Sequence, residues 1–272
     1  MILWCDGPHD ATENMRRDSM LLGRAGAGER YHTPGVEAAV LRLFSFSPPG
    51  ITLGRSQDPA RELDLARCER DHVTWAVRPT GGRAIFHAEE WTYSLAAPLD
   101  DPYWGGSLQD VYGRLSRLLL DSLRSLGVAA AFVPASASPM PGPRGAKGAP
   151  AAPCFASSAR LEIVLDNRKL VGSAQRRAAR ALLQQGSVLL GEGHLRLLDY
   201  LRLPDSERAE MRERLRAAST HAGNVVGKSA PLERWAEAIR PLLPAGAQQL
   251  HGDEGRFLLT PRSPGSYTRA SA

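Results

Sequence analysis

The chain has 272 residues, 43% of them apolar, which is enough to bury a sizeable core in one large domain or two small ones. A formal charge of +5 admits an acidic partner, but 6% aromatics and no long basic block leave no nucleic-acid footprint. The three cysteines (Cys5, Cys68 and Cys154) are too scattered for a disulfide framework, the seven histidines form no ligand cluster, and no apolar run approaches the ~20 residues of a membrane span.

The opening MILWCDGPHD has no basic segment leading into an apolar one, so the expectation is a cytoplasmic protein without a membrane or nucleic-acid partner. Residues 10–25 have helix-forming character. VEAAVLRLFSF then reads as a strand entering the turn Ser47-Pro48-Pro49-Gly50, and ITLGRS as a second strand. Asp58-Pro59 opens a helix expected to run to about Arg70. VTWAVRPTGGRAIFHAEEWTYSLAAPL reads as two strands around a Gly-Gly turn. Ser107 and Asp110 resemble a capping box, followed by leucines at helical spacing and a stop at Gly127. Residues 134–153 are rich in Pro, Ala, Gly and Ser without periodicity and are expected to form a flexible loop ending at Cys154. RLEIVL and KLVGSAQ flank Asp166-Asn167 as a hairpin, LLQQGSVLL is a further strand, and charged helices follow from Asp205. Strand runs with separated helices predict an α+β fold: one domain over 1–250 and a tail over 251–272.

Three places offer chemistry. In Arg78-Pro79-Thr80-Gly81-Gly82-Arg83, adjacent glycines let backbone amides approach a ligand, with His87 on the next strand; an ordinary hairpin turn is the plainer reading. Lys169-Leu170-Val171-Gly172-Ser173-Ala174-Gln175 places small residues after an apolar strand. Only Lys147, Lys169 and Lys228 are lysines, and unlike arginine a lysine can give up its proton. Cys154 needs a neighbouring cation to become reactive.

In order along the chain, RPTGGRAIFH, EEWTYS, CF, LEIVLDNRKLVGSAQRR and LLQQGSVLL resemble the lipoate–protein ligase, octanoyltransferase and biotin ligase superfamily, and most of all its cysteine-dependent octanoyltransferase branch. The resemblance covers residues 1–200 and implies a class II biotin/lipoate ligase-like fold, a central mixed β-sheet flanked by helices. It implies a transferase of lipoate biosynthesis and protein lipoylation that needs no cofactor. The donor would be octanoyl-acyl carrier protein. The acceptors would be lipoyl-domain proteins such as the glycine cleavage H protein and the E2 subunits of 2-oxoacid dehydrogenases. Cys154 would carry the acyl group and Lys169 would support its thiolate. Arg78, Gly81, Gly82, Arg83 and His87 would line one side of the substrate site, with Gly172, Ser173, Ala174, Gln175 and Gly186 opposite. Val77, Gln185 and Trp91 depart from the pattern: Val77 replaces a second arginine, Gln185 a histidine and Trp91 a smaller residue. The alternatives are an ATP- and Mg-dependent lipoate ligase, an octanoyl amidotransferase between lipoyl-domain proteins, and a non-catalytic acyl-binding scaffold.

Overall fold

A computed structural model describes residues 1–27, 39–134 and 161–259. In chain order it contains β1 (Ile2–His9), α1 (Ala11–Ala27), β2 (Val40–Phe46), β3 (Gly50–Leu53), α2 (Pro59–Glu62), α3 (Leu65–Arg70), β4 (Thr74–Val77), β5 (Ile85–His87), β6 (Glu90–Pro98) and α4 (Leu108–Ser125). Then follow β7 (Ala131–Pro134), β8 (Leu161–Leu165), β9 (Arg168–Lys169), β10 (Val171–Arg177), β11 (Ala181–Leu189), α5 (Leu197–Tyr200), α6 (Asp205–Ala218), α7 (Gly223–Val226), α8 (Leu232–Ile239) and β12 (Gln248–His251).

The main sheet has the order β10-β11-β6-β2-β1-β12. β1 runs parallel to β2 and β12, while β2, β6, β11 and β10 pair antiparallel, so the expected mixed sheet is present. Alternation along β2 divides its side chains between two helical layers. Leu41 and Leu43 face a core shared with Leu115 and Leu119 of α4 and Trp235 and Ile239 of α8. Val40, Arg42 and Phe44 face the other way, toward α1. Ser107 caps α4 by accepting from the Asp110 amide, and Gly127 stops it with φ +86.

The α1 layer is unusual because its buried stripe carries charge. Asn14, Asp18, Leu21 and Ala25 recur on one face, and the first two meet a fully buried Arg42. The Arg42 guanidinium donates to Asp6 Oδ2 at 2.7 Å, Asp18 Oδ1 at 2.8 Å and Asn14 Oδ1 at 2.6 Å. It also lies 3.8 Å from the centre of the Phe44 ring. Arg17 adds a second cation on Asp6 Oδ1 at 2.5 Å. Two arginines thus balance two buried aspartates with hydrogen bonds in place, the condition under which charge is tolerated away from water.

Several expectations are corrected. The strands around the Gly-Gly loop do not pair with each other, because β3 lies between them, parallel to β4 and antiparallel to β5. The helix expected from Asp58 to Arg70 breaks in two. Leu63 turns fully inward and bridges to Leu201, and Asp64 starts α3 by accepting from the Arg67 amide. Asp166 and Asn167 do form the hairpin turn, both at positive φ. The strand after it, however, divides at Leu170: β9 pairs with β8, whereas β10 joins the main sheet beside β11. Packed structure also continues beyond residue 250. β12 ends at His251, and a 3-10 helix over Gly252–Leu259 buries Leu258 against the α1 layer. Gly255 in that helix lies against the Trp4 indole, where a Cβ would come within 2.2 Å. Beyond Pro134, the stretch expected to be a flexible loop lies outside the described residues.

Replacing Arg42 with alanine strands Asp6 and Asp18 in the core. The expected cost is ~3–5 kcal/mol, read by urea unfolding. A loss below ~1 kcal/mol would show that the network contributes little to the fold.

Candidate active site

A pocket of about 400 Å³, counting its open mouth, lies where the Gly-Gly loop meets the β10–β11–β6 part of the main sheet. Met15, Phe44 and Ile85 supply apolar wall, and Thr52, Thr92 and Ser187 supply hydroxyls. Of the expected site residues, Arg78, His87, Gly172, Ser173, Ala174 and Gly186 line it.

Strand register explains the meeting of separated motifs. Gly172, Ser173 and Ala174 stand opposite Ser187, Gly186 and Gln185, which stand in turn opposite Thr92, Tyr93 and Ser94. Gly186 must be glycine: a Cβ would fall 2.5 Å from the Gly172 carbonyl oxygen and 2.6 Å from Tyr93 Oη. That closeness puts the Tyr93 hydroxyl 2.6 Å from Ser173 Oγ, fixing the serine at the pocket wall. Burial pushes the Tyr93 phenol up to about 12, so it acts there as a neutral hydrogen-bonding group.

The loop itself is held from inside. Arg78 donates to the carbonyl oxygens of Gly81 at 2.7 Å, Arg83 at 2.8 Å and Thr52 at 3.2 Å. Its guanidinium therefore shapes the loop as well as lining the pocket. Gly82 has φ +92, and Gly54 passes so close to it that a Cβ on Gly54 would meet the Gly82 carbonyl oxygen. Gly81, Gly82, Arg83 and Gln175 are not among the pocket-lining residues; Gln175 instead donates to Gln184 Oε1 at 2.8 Å.

Gln185 ties this loop to the charged core. Its amide donates to Asp18 Oδ2 at 2.6 Å, and its carbonyl accepts from Thr80 Oγ1 at 2.7 Å. On the opposite wall, His87 is stacked on Phe46 with ring centres 3.9 Å apart. Its Nδ1 lies 2.6 Å from Glu90 Oε1 and its Nε2 lies 2.7 Å from Thr52 Oγ1. Sequence reading left Thr52, Glu90 and Ser187 out of the site, although Glu90 stands in the EEWTYS block and Ser187 in LLQQGSVLL.

Lys169 is buried and pairs with Glu162, Nζ to Oε1 3.2 Å, and is not among the pocket-lining residues. Cys154 lies outside the described residues. The other two cysteines are buried. Burial, then the charges of Glu233 and Asp6, pushes the Cys5 thiol up to about 12, and burial raises that of Cys68 as well. Neither is a nucleophile at neutral pH. Among the described residues no group of His, Cys, Asp and Glu is arranged to hold a metal, and no helix is long and apolar enough to cross a membrane.

Residues 10–240 match the model of the lipoyl protein ligase A/B catalytic domain. The chain belongs to that family. Its relatives include the octanoyltransferase LipM of Symbiobacterium thermophilum, 34% identical over 85% of this chain and 80% of that protein. Another is the LipM octanoyltransferase of Kyrpidia tusciae, 34% identical over 76% of this chain and 75% of that protein. Among solved structures, the bipartite lipoate protein ligase of Thermoplasma acidophilum, described with its E2 lipoyl domain, superposes with a TM-score of 0.66. That match has 17% identity and covers 95% of this chain and 89% of that one. A lipoate-protein ligase A bound with ATP gives 0.61 at 18% identity, covering 95% and 92%. At these identities the structures show a shared fold, and the lipoate ligase-like architecture expected from the motifs is the one observed.

Because both described thiols are held protonated, iodoacetamide at pH 7 should leave Cys5 and Cys68 unlabelled in the folded protein and label them in guanidinium. Peptide mass mapping reads the result. Fast native labelling of either one would contradict the assigned burial.

Proposed function

We propose that this family member is an octanoyl-[acyl-carrier-protein]:protein N-octanoyltransferase, passing an octanoyl group through a Cys154 thioester to a lipoyl-domain lysine. The observation that carries the reading is the pocket: Arg78 at the base of the glycine loop, His87 and the Gly172-Ser173-Ala174 strand line one partly apolar cavity suited to an acyl chain. The LipM relatives support an octanoyl substrate. The archaeal ligase described with its E2 lipoyl domain supports a lipoyl-domain acceptor. With Cys5 and Cys68 buried and protonated, Cys154 is the remaining thiol.

The chemistry suits a thiol. A thiolate attacks the carrier thioester, the carrier thiol leaves, and the exchange is close to thermoneutral because one thioester replaces another. The acceptor amine then attacks the enzyme thioester, giving an amide and returning the thiol. Lys169 supports the thiolate as a cation that can also move a proton, and its buried bond to Glu162 holds its ammonium in place. Arginine would retain the charge without the proton. Met15, Phe44 and Ile85 receive the acyl tail, and the hydroxyl-lined wall faces the reacting carbonyl.

Incubated with octanoyl-carrier protein and no ATP, the protein should gain a hydroxylamine-sensitive octanoyl adduct by intact mass, absent in Cys154→Ala. An adduct in that variant would remove Cys154 from the mechanism, and a strict ATP requirement for modifying a lipoyl domain would favour the ligase reading. Lys169→Arg should slow adduct formation at least about a hundredfold with unchanged unfolding in urea. Full activity in that variant would take Lys169 out of the reaction.

A further inference from the structure

His87 lies at the middle of a hydrogen-bonded chain whose direction can be worked out group by group. Glu90 Oε1 accepts from two hydroxyls, Thr92 Oγ1 at 2.7 Å and Ser187 Oγ at 2.9 Å, so it is the acceptor end. The imidazole nitrogen 2.6 Å from that oxygen, Nδ1, must then carry a proton. At the other end Arg78, which has no acceptor capacity, donates from Nη1 to Thr52 Oγ1 at 3.3 Å. That leaves the Thr52 proton directed at His87 Nε2, 2.7 Å away. The order Arg78, Thr52, His87, Glu90 thus has a donor facing an acceptor at every link, with a neutral imidazole whose basic Nε2 meets the hydroxyl of Thr52, itself a pocket-lining residue.

The same frame accommodates the protonated ring. If Nε2 gains a proton it donates to Thr52 Oγ1, while Nδ1 still donates to the carboxylate of Glu90. Imidazolium is then stabilised by a buried carboxylate and by stacking on Phe46. A group wired for both states, at the wall of a pocket and nearly closed to solvent, is arranged to receive a proton rather than only to fill space.

We infer that His87 is the proton acceptor for the attacking lysine amine, and that Glu90 is the positioning residue fixing its tautomer. This rests on the acyl-enzyme reading above. The amine nitrogen forms the C–N bond while the carbonyl π pair moves to oxygen. The nitrogen's proton passes to Nε2, directly or by Thr52 taking it on Oγ and giving its own. The oxyanion collapses, the C–S bond breaks with its electron pair on sulfur, and the thiolate recovers the proton from the imidazolium. No co-reactant is needed. Thiol chemistry on the donor side would fall to Lys169 and amine chemistry on the acceptor side to His87, so the two are separable by half-reaction.

The full chain and its Glu90→Gln variant would each be loaded with octanoyl-carrier protein, and the isolated adducts mixed with a lipoyl domain or with hydroxylamine. The ratio of lipoyl-domain discharge rate to adduct-formation rate should fall at least about fiftyfold in Glu90→Gln. The loss should appear in kcat rather than in KM for the lipoyl domain. Discharge to hydroxylamine, whose tetrahedral adduct carries a far more acidic nitrogen that gives up its proton to water unaided, should lose much less. Equal discharge to the lipoyl domain, or parallel losses in both half-reactions, would overturn the inference. A measurement independent of the variant's folding is the ¹⁵N signature of His87 in the unsubstituted protein, expected to show protonated Nδ1 and bare Nε2; the opposite tautomer overturns it. Absence of any adduct in the unsubstituted protein would instead sink the acyl-enzyme reading, and the inference with it.

Discussion

Arg42 is the charge around which this molecule is arranged. It sits on the middle of the main sheet with no access to water, and a cation in that position is stable only if every nearby acceptor is in place. That requirement fixes Asp6 on β1 and both Asn14 and Asp18 on α1 against β2. Asp18 also accepts from Ser94 on β6 and from Gln185 on β11. Three strands of the central sheet, a fourth beside them and the helix that covers them are therefore keyed to one another by directional bonds. Apolar packing alone would permit α1 to slide or rotate; paired charges do not, because a shift of an ångström or two leaves a buried charge without a partner.

This core reaches the pocket through Gln185. Its amide has different groups at its two ends, and here one end holds Asp18 while the other holds Thr80 in the glycine loop. The octanoyltransferase pattern has a histidine at this position, whose hydrogen bonding would depend on its protonation. Glutamine makes this bridge with a side chain that does not titrate. The loop is thus clamped from two directions, by Arg78 on its carbonyls and by Gln185 on Thr80.

The two walls of the pocket differ in character accordingly. The wall near Gly186 and Ser173 is set by close backbone approach, with glycine where no Cβ fits. The wall near His87 is set by a chain of hydrogen bonds ending in Glu90. A rigid cleft suits an acyl chain, whose binding is nondirectional, and a directional chain suits proton movement, which requires a fixed donor and acceptor at each step.

Local chemistry made much of this legible in the chain itself. Helices α1 and α4, the Asp166-Asn167 turn, the strand of LLQQGSVLL and the two small-residue motifs all follow from nearest-neighbour preferences and periodicity, which act over a few residues. The site residues gathered from three separate sequence blocks do share one pocket where Arg78, His87, Gly172, Ser173, Ala174 and Gly186 are concerned. What it could not supply was pairing across long separations. The insertion of β3 between β4 and β5, the break at Leu63, the transfer of the chain from β8 to the main sheet at Leu170, and the burial of Leu258 depend on which apolar faces meet in three dimensions. So do the contacts of Glu90 with His87 and of Gln185 with Asp18. Side-chain type and spacing record what a segment prefers to become, whereas the partner of a buried polar group is set by which donors and acceptors the closed sheet brings within reach.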